Sequence, residues 1–129
     1  MTPNATRWEA PLLSTASVQA AIHYRDGVAA LVSGVANADR LLAAAVALDP
    51  GFVLADVALA VTRTMAGQRY APTPLPPRLG RGERQHAETV NAMLAGDGDH
   101  GADLRREHLL EFPGDVLIVW LPMVARPAT

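Results

Sequence analysis

Ala47-Leu48-Asp49-Pro50-Gly51-Phe52-Val53-Leu54 and Leu110-Glu111-Phe112-Pro113-Gly114-Asp115-Val116-Leu117 read as two copies of one pattern, offset by 63 residues. Each copy leaves an apolar helix end, turns at Pro-Gly and resumes with Val-Leu. The register runs upstream without a gap. Leu41 falls on Leu104, Ser33-Gly34 on Gly96-Asp97, Ala29-Ala30-Leu31 on Ala92-Met93-Leu94, and His23 on His86. Proline lacks an amide hydrogen and pushes the residue before it out of α geometry, so Pro50 and Pro113 end helices. Helix, tight turn, helix and Pro-Gly stop, repeated, is the signature of stacked helical hairpins. The expected fold is all-α, a short helical-hairpin array of five to six helices.

The spacing predicts a first helix over about 17–32, capped by Ser14, Thr15 or Ser17 and closed by Ser33-Gly34. Gly27 costs that helix about 1 kcal/mol relative to Ala, which implies close approach of a neighbouring helix. A second helix ends at Leu48, with Asn37 or Asp39 as its cap, and a third runs from near Gly51 to Ala66. A fourth covers about 82–95. A fifth covers about 99–112, with Leu104, Leu109 and Leu110 directed inward. The stretch 115–124 has the composition of a strand, but the repeat register favours a short sixth helix. The organisation is an arm (1–16), a first module (17–67), a proline-rich linker (68–81), a second module (82–124) and a tail (125–129). The linker, Ala71-Pro72-Thr73-Pro74-Leu75-Pro76-Pro77, favours extended polyproline geometry. It reads as a connector in preference to a ligand for another domain.

Counting back from Pro50 and Pro113 starts the units near Gln19 and Gly82. Ala38 and Gly101 then take the small position of the second helix, followed in the first copy by Leu42 and Ala45. This pattern resembles a tetratricopeptide-type repeat. More narrowly, Ala43 to Phe52, Glu83 to Asp97 and His108 to Asp115 resemble bacterial relatives of the tetratricopeptide repeat protein 38 family. The resemblance covers roughly residues 18–121 and implies a right-handed array that binds other proteins. The chain departs from the pattern in both copies: Ile22, Arg25, Asp26 and Ala29 stand at the early aromatic and glycine positions of the first, and Arg105 and His108 replace expected apolar or small residues in the second.

The chain has 129 residues, half of them hydrophobic, which is enough for one domain with a real core. A net charge of −2 without a basic stripe argues against nucleic acid as a partner. All eleven basic residues are Arg, a usage typical of high-GC bacterial coding. There is no Cys, so thiolate metal sites and disulfides are excluded. No secretory leader or bilayer-length apolar run is recognisable, so a cytoplasmic protein without a membrane partner is expected.

No nucleotide loop, nucleophile elbow or His-Glu-x-x-His motif occurs. His23 and His86 share repeat register and are the candidate chemical groups of an alternative reading, a small helical enzyme or ligand carrier with an inter-helix pocket. His100 and His108 lie eight residues apart, near 12 Å by the helical rise and too far for one ion. His108 beside Glu107 or Glu111 reads as a solvated pair. Asp97 to Asp103 lacks the distal acid of a calcium loop. No cofactor and no metal are expected. The favoured reading is a non-catalytic scaffold or adaptor for a protein or peptide partner. Its concave binding surface would include His23, Tyr24, His86 and Asn91. Its uncovered end face, Val116, Leu117, Val119, Trp120 and Met123, would be sealed in a homo-oligomer or heteromeric complex.

Overall fold

A computed structural model describes residues 15–123; all but the last two residues of the arm (1–16), and the whole tail (125–129), lie outside them. The described residues form six α-helices and a closing 3-10 turn, with no strand among them. The helices are α1 (Val18–Ser33), α2 (Ala38–Leu48), α3 (Val53–Met65), α4 (Arg81–Leu94), α5 (Gly98–Glu111) and α6 (Val116–Trp120). The all-α array expected from the repeat is what the chain adopts. None of the described helices is long and apolar enough to cross a membrane.

Local chemistry sets the boundaries. The Ser17 hydroxyl accepts the Ala20 N–H at 3.0 Å and opens α1. Gly34 closes it at φ +76°, a left-handed conformation in which a side chain would be strained. Asp97 accepts the His100 N–H at 3.3 Å and opens α5. The stretch after Pro113 is helical, as the register requires, so its β-prone composition is overridden by its place in the fold.

Packing follows chain order. The most extensive contacts join α1 with α2 and α4 with α5, and α3 bridges the two pairs. The core is one cluster that includes Tyr24, Val28, Leu42, Phe52, Leu54, Val57 and Val61. The Tyr24 and Phe52 rings meet at 5.3 Å between centroids. The polyproline segment is laid against α4 rather than free of it. The Asn91 side-chain amide pairs with both the N–H and the C=O of Thr73, each at 3.2 Å, as a neighbouring peptide would. Tyr70 donates to the same Asn91 oxygen at 2.5 Å, and Arg84 donates to the Pro76 carbonyl at 2.8 Å.

Two details correct the sequence reading. Leu110 points outward, 81% exposed, because the inner face of α5 is given to Gly101 and His108. The final segment is not an open end. α6 returns to α1 and also touches α4 and α5, so Leu117, Ile118 and Leu121 are fully buried within the chain.

Gly27 meets the expected close approach: a Cβ there would lie 2.7 Å from Leu42 Cγ and Cδ2. Gly101 plays the same part in the second hairpin, against Met93 Cγ at 2.8 Å. Leu42 is branched and fully enclosed, whereas Met93 is unbranched and only half-buried. Gly27→Ala is therefore expected to destabilise by about 1–3 kcal/mol in urea unfolding, because overpacking outweighs the gain in helix propensity. Gly101→Ala is expected to stay within about 1 kcal/mol of the wild type, because Met93 can move aside.

Candidate functional site: a buried histidine–aspartate cluster

The Pro113-Gly114 turn delivers Asp115 to the interior at the mouth of α6, where α4 and α5 each present a histidine. Asp115, His86 and His108 all have fully buried side chains. One carboxylate oxygen, Asp115 Oδ2, lies 2.6 Å from His86 Nδ1 and 2.7 Å from His108 Nε2. Each ring nitrogen donates its hydrogen to that shared oxygen. The two imidazoles stand nearly edge to face, 5.9 Å apart, and the Phe112 ring covers His108 at 5.1 Å.

A polar chain leads outward from His108. Its Nδ1 meets Gln85 Oε1 at 3.1 Å, and Gln85 Nε2 donates to Glu111 Oε1 at 3.0 Å. Arg81 closes the chain on Glu111 at 2.5 Å. Because Gln85 spends its N–H on Glu111, its carbonyl is the atom offered to His108. Both ring nitrogens of His108 thus face side-chain oxygens. The Glu111 carboxyl is held below its ordinary value, first by the Gln85 hydrogen bond and then by Arg81.

The electrostatics of Asp115 are a contest. Burial alone would raise its pKa, since a charge in the interior is expensive. The attraction of His86 and the hydrogen bonds from His108 and His86 outweigh burial and hold the carboxyl well below the usual carboxylate range. Two buried polar atoms of the cluster have no hydrogen-bond partner among the described residues: Asp115 Oδ1 and His86 Nε2. The three residues can each offer a ligand atom, and these atoms lie within 4.8 Å of one another.

The structure brings together only one of the four expected surface residues with this cluster. His86 belongs to it. His23, its repeat partner, takes no part; it is half-buried on α1 with Nδ1 enclosed and unpartnered among the described residues. Tyr24 is core and Asn91 holds the linker, so these four do not form a concave binding face. His86 is likewise enclosed rather than open to a ligand between helices. Of the expected end face, Leu117 is core, Trp120 is half-buried, Val116 and Val119 remain 37% and 46% exposed, and the Met123 side chain lies outside the description. The pairing of His108 with Glu107 or Glu111 is replaced by Asp115 and Gln85.

The exposed part of α6 lines an apolar groove. Val116, Val119 and Trp120 face Val32 of α1, with Pro113 and Gly114 at the end, around a cavity of about 320 Å³. Arg105 of α5 fastens α6 from behind, donating to the Ile118 carbonyl at 3.1 Å and the Val119 carbonyl at 3.4 Å.

No protein-family model matches the chain, and neither a curated protein nor a solved structure does.

Asp115→Asn is expected to destabilise by about 3–5 kcal/mol at neutral pH, as removal of one member of a buried charged set does. The depressed Asp115 value also sets a direction with pH. Its stabilisation is complete above the ordinary value of 3.8 and is lost as pH falls from there toward the folded value. Urea unfolding between pH 5 and pH 2 is expected to lose stability more steeply in the wild type than in Asp115→Asn.

Proposed function

We propose that the protein is a non-catalytic helical-hairpin adaptor, tetratricopeptide-like in design, that works by docking an apolar helix along the α1–α6 face. One observation carries this reading. Val18, Ile22, Arg25, Ala29 and Val32 follow a 4-3-4-3 spacing along α1, the seam spacing of a coiled coil. Val18 is 76% and Ile22 38% exposed, Ala29 is exposed, and Val32 opens into the groove of α6. An exposed apolar stripe continuing into an apolar groove is costly in water and typical of a surface that meets another helix.

The occupant in this proposal is a second copy of the chain. A self-complementary seam pairs with itself about a two-fold axis, and a single charged position such as Arg25 sets the register. The same proposal makes the adaptor a cytoplasmic protein of a high-GC bacterium, and the Arg-only basic set supports the bacterial origin.

Sedimentation equilibrium of the full chain tests the reading. A concentration-dependent dimer is expected, weakened at least tenfold by Val119→Glu or Val18→Glu with thermal stability nearly unchanged. A monomer at every concentration up to the high micromolar range overturns it, as does a dimer indifferent to both substitutions.

A further inference from the structure

We propose that the His86–His108–Asp115 cluster is a binding site for a divalent first-row transition ion of the zinc class. This is independent of the adaptor reading. The donor set is two imidazole nitrogens and one carboxylate, the borderline ligands that such ions take. Hard calcium or magnesium ions, which require mostly oxygen ligands, are disfavoured by the same set.

Three features distinguish the cluster from an ordinary buried ion pair. First, both histidines aim one nitrogen at the same carboxylate oxygen, so three donors converge on a point rather than pairing in sequence. Second, Asp115 keeps a buried oxygen, Oδ1, that no group among the described residues uses. A second carboxylate oxygen turned inward without a partner is what a bidentate ligand would offer. Third, His108 has the outer support that metal-bound histidines have. Its other ring nitrogen is held by Gln85, which is held by Glu111, which is held by Arg81.

The ion takes the place of the two hydrogens that now point at Asp115 Oδ2. Each imidazole then binds in its neutral form with its hydrogen on the other nitrogen, Nε2 of His86 and Nδ1 of His108, and any proton in excess passes to solvent. Tetrahedral bonds of about 2.0–2.2 Å separate neighbouring ligand atoms by about 3.4 Å. The nitrogens therefore retreat from Oδ2 by somewhat less than an ångström on loading. α6 is short and is joined to α5 by a Pro-Gly turn, so it is the element placed to make that adjustment. Gln85 is a positioning residue in this scheme, since it orients His108 and does not reach the ion.

The test uses the full chain stripped with a chelator and titrated with Zn²⁺ or Co²⁺ alone. One ion per chain is expected by calorimetry, with a rise in the thermal midpoint and visible d–d absorption of low-symmetry N/O-ligated Co²⁺. Nitrogen-15 spectra of labelled histidines are expected to shift at the His86 and His108 rings and to spare His23 and His100. Gln85→Ala, which keeps all three ligands, is expected to weaken binding about 10–100-fold. The proposal is overturned if the folded wild type binds neither ion at micromolar concentrations. It is equally overturned if the shifted rings are those of His23 or His100. Both outcomes are read on the wild type, so a variant that fails to fold does not blur them. Neither bears on whether the chain dimerises.

Discussion

A carboxylate in a protein interior costs far more than one in water unless its charge is met by donors held in place. Asp115 is that carboxylate, and its surroundings show what meeting it requires. α4 supplies His86, α5 supplies His108, and the Pro113-Gly114 turn carries the acid into the gap between them. Three successive elements are thereby fixed at one atom. Hydrophobic burial holds these helices together without direction, whereas the shared oxygen fixes their relative placement. The position of α6 depends on it, and so does the groove that α6 forms with Val32.

The two halves of the repeat solve the same packing problem with different chemistry. Phe52 and Ala45 of the first copy stand at the register positions of Asp115 and His108 in the second. All four are buried. In the first copy the space is filled by a ring against Tyr24; in the second it is filled by a hydrogen-bonded acid and base. Leu42 likewise gives way to Arg105. The buried leucine holds α2 against α1, while the arginine reaches α6 and caps its carbonyls. A repeat copy that exchanges core side chains for hydrogen-bonded polar ones gives up some apolar packing and leaves titratable groups in its interior.

The groove and the cluster lie on two sides of the same short helix. Val116 and Val119 face outward, Leu117 and Ile118 inward, and Asp115 precedes all four. A helix of five residues has little stability of its own and draws its shape from what surrounds it. Asp115 and the groove residues Val116 and Val119 are thus neighbours on one short element.

Much of this architecture was legible before any coordinates. Pro50 and Pro113 stop helices because proline cannot continue them. Gly27 marks a close helix crossing because a glycine inside a helix is otherwise a cost. The repeat register assigned α6 as helix against its own β-prone composition. These are local rules, carried by one residue and its chain neighbours. The cluster was not legible in that way, although its trace was present: His108 and Arg105 broke the packing pattern. What was missing was the partner. Asp115 lies seven residues from His108 and 29 from His86, and only the return of α6 onto the bundle closes those separations. The same return buried Leu117. Local stereochemistry is written in the order of residues; the meeting of an acid with two bases is decided by how whole helices come to rest against each other.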